Sequence, residues 1–222
     1  MIRAIAFDFD GVLVESVEVK TRAFARLFAG EGTETVQRIV AYHLKNGGVS
    51  RFEKFQTIYR DILNRPLTDQ KFQSLCGQFA EYVVEEVVAA PWVGGAEQFL
   101  SAHCERYPLF VISGTPEKEL SEIVRRRGMK KFFCEVLGAP RSKEILLHEI
   151  MTRHRLSASD LVFVGDSETD WTAARGVGIL FVWRQASHDI PLLPGFSGPA
   201  IQSLTELDAC LAALERHEVL KR

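Results

Sequence analysis

Cysteine is scarce in this 222-residue chain, and its cysteines are not clustered. The four residues, Cys76, Cys104, Cys134 and Cys210, lie far apart and include neither a C-x-x-C pair nor a metal-type group. Spacing of this kind is typical of reduced thiols that pack as small apolar side chains. It argues against a disulfide framework or a structural zinc site.

The sequence also lacks an excess of charge of one sign. Its 27 Lys and Arg residues nearly balance 29 Asp and Glu residues, which gives a formal net charge of -2 and an isoelectric point near 6.3. Such a chain has no general attraction for nucleic acid or for an anionic membrane. Any anion must bind at a local site, so we expect a small partner, and the oligomeric state is left open.

Long hydrophobic runs are absent as well. No uninterrupted apolar stretch approaches transmembrane length, and Asp8 and Asp10 interrupt the N-terminal apolar segment too early for a signal peptide. We therefore expect a cytoplasmic protein. With 46% hydrophobic residues, the chain can fill a substantial core as one large domain or as a core with an insertion.

Hydrophobic periodicity divides the chain into two kinds of region. Residues 16–90 have apolar side chains at helical spacing and no convincing strand, and three Gly- or Asn-containing breaks divide them into about four helices. Ser50 and Thr68 are expected to cap two of these helices. Pro91, at the start of a linker, precedes a region in which helices and strands alternate.

This alternation predicts an α/β fold with a Rossmann-like three-layer core and a mostly parallel sheet. The core is expected to comprise residues 1–15 and 91–222, with residues 16–90 inserted as a helical domain. Within the core, Leu109–Ile112 is predicted to be a strand, and Thr115 is predicted to cap a helix that begins at Pro116.

Polar side chains follow four predicted strands, where ligands bind in open α/β sheets. Asp8 and Asp10 follow the buried first strand, and alternation places them on the same side. The other segments are Ser113-Gly114-Thr115, the loop that leads to Lys143, and Gly165-Asp166-Ser167-Glu168-Thr169-Asp170. Capping of a helix N-terminus is an alternative role for Asp166 and Asp170.

The order and the residues of these four segments resemble the motifs of the haloacid dehalogenase-like superfamily, specifically of its phosphatase branch with a helical cap inserted after the first motif. The resemblance covers residues 8–170, and the cap corresponds to residues 16–90. It implies a phosphoric monoester hydrolase that acts on a small phosphorylated metabolite, similar to phosphoglycolate phosphatase and its relatives.

The resemblance also implies roles for individual residues. Asp8 would be the nucleophile that forms an aspartyl-phosphate, and Asp10 would be the general acid and base. Ser113, the backbone N–H of Gly114 and Lys143 would bind the phosphoryl group. Lys143 departs from the usual pattern, because Glu144 follows it where the family commonly has proline, and Arg141 is a candidate substitute.

Magnesium is the cofactor that the resemblance implies, and it suits carboxylate and phosphate oxygens. Asp8, the backbone carbonyl of Asp10 and Asp166 would be ligands. For Asp170 two roles stay open: ligation through water or orientation of Lys143.

In this family, polar residues of the cap select the leaving group. The candidates here are Lys20, His43, Arg51 and Lys54, with a solvated basic helix face as the alternative for the three cations. The segment from Leu44 to Arg51 is similar to the cap of β-phosphoglucomutase, so a phosphomutase is the nearest rival. A third hypothesis is a binding or regulatory protein without turnover.

Overall fold

The computed structural model describes residues 1–186 and 194–220, and its central element is a six-stranded sheet in the order β3-β2-β1-β4-β5-β6. The strands are β1 (Ala4–Phe7), β2 (Leu109–Pro116), β3 (Glu135–Ala139), β4 (Leu161–Gly165), β5 (Leu180–Arg184) and β6 (Ala200–Ile201). Each neighbouring pair is parallel. The carboxyl ends of the strands therefore meet at one edge of the sheet.

Both faces of the sheet are covered by helices, because side chains alternate along each strand. Ala4 and Ala6 of β1 face a cluster that includes α7 (Lys143–His154) and α8 (Glu168–Val177). Ile5 and Phe7 face a second cluster. Its helices are α5 (Ala96–His103), α6 (Glu117–Arg126) and α9 (Leu207–Leu220). The predicted three-layer α/β core is confirmed.

Four α-helices lie between β1 and α5, and we call residues 16–90 the helical insertion. They are α1 (Val17–Leu27), α2 (Thr33–Lys45), α3 (Arg51–Thr57) and α4 (Asp69–Ala89). Ser50 and Thr68 cap α3 and α4 as predicted, since their side chains accept hydrogen bonds from the N–H groups of Glu53 and Lys71. The hydrophobic cluster of the insertion continues into that of the sheet.

The chain runs from the sheet into the insertion and back again. At each of these two passages, an arginine of the core donates hydrogen bonds to the backbone. Arg184 donates to the carbonyl of Gly11 at 2.9 Å and pairs with Glu15 at 2.6 Å. Arg127 donates to the carbonyls of Val87, Val88 and Ala90 at 2.7–2.8 Å. Both arginines thus fix backbone next to the insertion.

Two sequence predictions for the core are wrong. The strand predicted at Leu109–Ile112 continues to Pro116, because pairing with β3 resumes at Pro116 and Ala139 after an irregularity. Thr115 therefore lies in β2 and does not cap α6, whose N-cap is Pro116. β6 was not predicted, since two residues are too short to show a periodicity.

The four cysteines are free thiols. Among the helices within the described ranges, none combines the length and the hydrophobicity that crossing a bilayer requires.

Candidate active site

Asp8 begins the site immediately after β1. Its N–H donates to the carbonyl of Val164 at 2.9 Å, which continues the pairing with β4, and its side chain is buried. The N–H of Phe9 donates to Asp8 Oδ1 at 2.7 Å, and Lys143 Nζ lies 2.9 Å from Asp8 Oδ2. Each carboxylate oxygen thus has a fixed donor, and the carboxylate is held in one orientation.

Lys143 connects two carboxylates from different strand ends. Ser142 caps α7 and places Lys143 in its first turn, where Nζ contacts Asp170 Oδ1 at 2.5 Å as well as Asp8. Burial disfavours the charged ammonium, but Asp170 and Asp8 outweigh it and raise the pKa of Lys143. Lys143 is therefore a buried cation beside Asp8.

Arg141, the alternative to Lys143, is engaged elsewhere. Its guanidinium forms ion pairs with Glu117 and with Glu149, the latter at 2.7 Å, and neither partner is one of the predicted site residues. Its position therefore gives no support to a substitute role at the phosphoryl site.

Asp170 is completely buried and has two functions in the structure. Its Oδ1 contacts Lys143, and its Oδ2 accepts from the N–H of Ser167 at 3.1 Å and from the Ser167 hydroxyl at 2.5 Å. This capping box opens α8. Helix capping and orientation of Lys143 thus occur together in one side chain.

Asp166 completes a group of three carboxylates. Asp8, Asp166 and Asp170 each offer one oxygen, and these oxygens lie within 4.8 Å of one another. Burial, followed by Asp8 and Asp170, raises the pKa of Asp166 well above its ordinary value. Burial is also the main cause that raises the pKa of Asp8 to about 7, because it outweighs the opposing charge of Lys143.

Burial and the repulsion from neighbouring carboxylates thus raise the pKa of Asp8 and of Asp166, although Lys143 opposes the shift at both residues. Oxygen donors at this spacing can hold a divalent cation, which would relieve the repulsion. Gly11 is needed beside them, since a Cβ there would lie 2.1 Å from Asp166 Oδ2 and its φ is +77°. The site therefore fits a metal ion.

Asp10 lies in a separate set of hydrogen bonds beside Asp8. Lys20 Nζ pairs with Asp10 Oδ2, and the hydroxyls of Ser16 and Thr115 donate to the carboxylate at 2.6 and 3.2 Å. Burial raises the pKa of Asp10, but Lys20 and these hydroxyls outweigh burial and lower it. In this arrangement Asp10 is ionised at neutral pH.

Thr115 is a site residue that the sequence reasoning missed. Its hydroxyl accepts from Lys20 Nζ at 2.7 Å, and its N–H donates to Ser113 Oγ at 3.1 Å. Ser113 in turn lies 3.5 Å from Asp10 Oδ2. The position of Thr115 directly after Ser113-Gly114 could have indicated a site residue. It was instead interpreted as a helix cap.

Gly114 marks the contact between the sheet and the insertion. A Cβ on Gly114 would lie 2.3 Å from the carbonyl oxygen of Gly48. The hydroxyl of Thr169 also donates to the carbonyl of Gly47 at 2.7 Å. The Gly47-Gly48 turn therefore contacts the strand ends, and the sequence reasoning, which gave Gly114 only a role in binding the phosphoryl group, missed this contact.

A cavity of about 440 Å³ lies between the strand ends and the insertion. Asp8, Asp10, Ser113, Gly114 and Asp166 line one side. The insertion contributes all four cap residues that the sequence singled out, namely Lys20, His43, Arg51 and Lys54. Lys143 and Asp170 are not among the lining residues; Lys143 contacts Asp8, and Asp170 contacts Lys143. The structure thus brings the predicted site residues together.

The four cap residues have different partners. Lys20 pairs with Asp10, and Arg51 pairs with Glu119 of α6 while its guanidinium lies 4.5 Å above the Phe79 ring. Lys54 Nζ contacts His43 Nδ1 at 2.9 Å. Arg51 and Lys54 are buried, which excludes a solvated helix face for these two cations, and His43 is buried as well.

The comparisons with known proteins identify the family. The family model of the haloacid dehalogenase-like hydrolases matches residues 2–178 of the chain. The chain belongs to the haloacid dehalogenase-like hydrolase family. The predicted family is confirmed, and so is the expectation that the protein is an enzyme of the hydrolase class.

Sequence relatives include phosphoglycolate phosphatases. The protein from Vibrio parahaemolyticus is 28% identical over 193 residues, which covers 80% of this chain and 81% of the relative. The phosphatase from Photorhabdus laumondii is 29% identical over 187 residues, covering 80% and 77%. These proteins are similar to the chain over most of its length.

Solved structures share the fold. A predicted phosphoglycolate phosphatase from Haemophilus somnus has a TM-score of 0.72 and 20% identity, covering 95% of this chain and 98% of its own. β-Phosphoglucomutase from Clostridium difficile has a TM-score of 0.77 and 14% identity, covering 99% and 100%. At these identities the likeness concerns the fold alone.

Proposed function

We propose that the protein is a phosphatase that hydrolyses a small phosphorylated metabolite through an aspartyl-phosphate on Asp8. The observation that carries the proposal is the position of Asp8, whose Oδ2 lies 2.9 Å from Lys143 Nζ in a cavity wall beside Asp10. The sequence relatives named above support the choice of phosphate esters.

The first step follows from the orientation of Asp8. An Asp8 carboxylate oxygen attacks phosphorus, and the bond from phosphorus to the leaving oxygen breaks. Lys143 offsets negative charge at Asp8, and the Ser113 hydroxyl and the Gly114 N–H, both in the cavity wall, would donate to the phosphoryl oxygens. The Asp10 carboxyl group, once protonated, gives its proton to the leaving alcohol.

In the second step, water attacks the phosphorus of the aspartyl-phosphate, and the bond to Asp8 breaks. Asp10, now ionised, takes a proton from this water, which releases inorganic phosphate and restores Asp8. Thr115, Ser16 and Lys20 hold the Asp10 carboxylate in place for this transfer. The ionised state favoured by Lys20 is the state that this second step requires.

We further propose magnesium as the cofactor, held by Asp8, Asp166 and the backbone carbonyl of Asp10. When bound, a divalent ion would neutralise charge on the phosphoryl group and on the carboxylates. Asp170 is better suited to orienting Lys143, since both of its oxygens already accept hydrogen bonds. We also propose that the helical insertion, residues 16–90, acts as the cap over this site.

The test is phosphate release from a panel of phosphorylated metabolites and an aryl phosphate, with magnesium and with a chelator. We expect release to require magnesium and to fall by a factor of about 10³ or more in Asp8→Asn. Asp61→Asn, at an exposed ion pair with Arg60, is the matched control. Acid-quenched mass spectrometry of the wild type should locate a phosphoryl adduct on the Asp8 peptide.

Two results would contradict the proposal. Conversion of a sugar 1-phosphate to its 6-phosphate without phosphate release would identify a phosphomutase. Absence of any turnover from folded protein with magnesium would favour a phospho-ligand-binding protein.

A further inference from the structure

Arg184 ends β5 at the edge of the sheet where the candidate site lies. Gly165 of β4 pairs with Trp183 of β5, so Asp166 and Arg184 both follow that pair at the same edge. The Arg184 side chain is buried, and its Nε donates to the carbonyl of Gln202 at 3.2 Å. The guanidinium is therefore anchored to the core at this edge.

The same guanidinium holds the loop that follows the proposed nucleophile. Its Nη1 donates to the carbonyl of Gly11 at 2.9 Å, and its Nη2 pairs with Glu15 Oε1 at 2.6 Å. The N–H of Glu15 donates to the carbonyl of Pro91 at 3.0 Å. A planar fork of donors on Arg184 thus joins both ends of residues 11–15 to β5.

Gly11 is the residue of this loop that adjoins the proposed metal site. It follows Asp10, whose carbonyl is a proposed ligand, and a Cβ on Gly11 would lie 2.1 Å from Asp166 Oδ2. Its φ of +77° lies in a region that glycine adopts readily, and glycine also has the greatest backbone freedom of any residue. Hydrogen bonds from elsewhere are therefore needed to fix Gly11.

Hydrogen bonds on both sides of the Gly11 Cα supply that restraint. The Gly11 N–H donates to the carbonyl of Val14 at 2.8 Å. The peptide bond before Gly11 is trans and planar, so this contact also sets the direction of the Asp10 carbonyl, which belongs to the same peptide unit. Arg184 holds the next peptide unit through the Gly11 carbonyl. The two contacts together restrict rotation about φ and ψ of Gly11.

We propose that Arg184 is a positioning residue of the metal site, which holds Gly11 so that the Asp10 carbonyl and the Asp166 carboxylate stay in place for a divalent ion. The proposal rests on the magnesium site proposed above. The charge of Arg184 is already paired with Glu15, so its effect on the site is carried by the hydrogen bond to the Gly11 backbone. Partners that orient metal ligands in this way typically contribute about 10- to 100-fold to metal affinity.

Arg127 offers a matched comparison at the other passage between the sheet and the insertion. It is also an arginine of the core, and it donates to the carbonyls of Val87, Val88 and Ala90. None of these three acceptors belongs to a proposed metal ligand or to a residue next to one in the chain. Loss of Arg127 should therefore reduce the free energy of unfolding without changing metal affinity.

Calorimetric titration with Mg²⁺ alone, without substrate, is the test. We expect the dissociation constant of Mg²⁺ to rise about tenfold or more in Arg184→Met and to stay unchanged in Arg127→Met. Arg184→Lys should give an intermediate value, because lysine keeps the charge but lacks the fork of donors. Loss of the binding heat in Asp166→Asn would assign that heat to this site.

Kinetics provide a second readout that a general loss of stability would not move. In Arg184→Met, the Mg²⁺ concentration for half-maximal phosphate release should rise by a factor similar to that of the dissociation constant. The value of kcat at saturating Mg²⁺ should fall less. Glu15→Gln, which removes the ion pair but leaves the Gly11 contact, should shift the Mg²⁺ requirement less than Arg184→Met does.

A metal-free measurement separates this proposal from the proposed function. Hydrogen exchange across residues 9–16 should be faster in Arg184→Met than in the wild type and in Arg127→Met. Equal exchange, or equal Mg²⁺ dissociation constants in the wild type and Arg184→Met, would overturn the role of Arg184. No Mg²⁺ binding by the wild type would refute the magnesium site itself, and exchange would then decide whether Arg184 fixes the loop. Should Arg184→Met not fold, Arg184→Lys takes its place, and an unchanged dissociation constant in that variant is the overturning result.

Discussion

Lys143 Nζ lies between Asp8 and Asp170, 2.9 Å from the first carboxylate and 2.5 Å from the second. This contact joins the end of β1 to the start of α7 and to the first turn of α8. The ammonium thus depends on residues from three elements for its position.

We expect Lys143→Met to lower kcat by about 10² to 10³, because a preorganised cation at the transferring phosphoryl group is lost. Asp170→Asn should cause a smaller loss, since Lys143 keeps its contact with Asp8. The measurement is steady-state phosphate release. Arg141→Met is the control, and a larger loss in that variant than in Lys143→Met would reassign the phosphate-binding cation.

Gly114→Ala tests the contact between the strand ends and the Gly47-Gly48 turn. The added methyl group would lie 2.3 Å from a backbone oxygen of Gly48, so the turn has to move away. We expect kcat/KM to fall by about tenfold or more, because displacement of a cavity wall disturbs substrate positioning.

The control for Gly114 is Gly77→Ala in α4, where a Cβ meets no atom within 4 Å among the described residues. That change should raise the free energy of unfolding by up to about 1 kcal/mol and leave kinetics intact. Normal kinetics in Gly114→Ala would show that the Gly47-Gly48 turn need not lie against the strand ends during turnover.

Arg51 and Glu119 connect the insertion to α6 as a buried ion pair, with side-chain exposures of 5% and 13%. We expect Glu119→Ala to reduce the free energy of unfolding by about 3 kcal/mol, since it leaves a buried guanidinium without a counterion. Combining it with Arg51→Met should recover much of that loss.

Chemical denaturation of the single and double variants measures this coupling. The exposed pair Arg22 and Glu86 serves as the comparison, because Glu86→Ala should cost less than about 1 kcal/mol. Equal losses for Glu119→Ala and the double variant would mean that the pair does not act as a unit.

His43 predicts how stability depends on pH. Burial and the charge of Lys54 lower its pKa from 6.5 to about 3 in the folded protein. The unfolded chain therefore binds a proton below pH 6.5 that the folded chain does not. The free energy of unfolding should fall as pH decreases from 6.5 towards 3, by up to about 1.4 kcal/mol per pH unit from this residue.

Urea denaturation of the wild type and His43→Gln at several pH values between 7.5 and 5 checks this expectation. Glutamine keeps an acceptor for Lys54 and does not titrate, so its stability should depend less on pH. Identical slopes for the two proteins would show that folding does not change the pKa of His43.

Much of the strand-end side of the cavity could be predicted, because the residues that follow a buried strand have a local sequence pattern. A buried strand followed by Asp8 and Asp10 specifies which edge of the sheet these residues occupy, and parallel topology gathers the other strand ends there. The roles of these residues remain predictions, since their positions fit the proposed chemistry without testing it.

Contacts between residues of the insertion and residues of the core could not be predicted in the same way. The pairing of Arg51 with Glu119 and the contact of Gly48 with Gly114 depend on how the insertion is placed over the sheet. The misassignment of Thr115 has a related cause. Its local sequence suits a helix cap, but pairing of Pro116 with Ala139 keeps it in a strand.

The two arginines at the passages between the sheet and the insertion have a consequence for acid conditions. Arg127 and Arg184 donate to backbone carbonyls, which do not titrate, and a guanidinium keeps its charge across the working pH range. The carboxylates around Asp8, by contrast, titrate. Mild acid should therefore reduce the activity reversibly, while the two arginines keep their hydrogen bonds to the backbone at both passages.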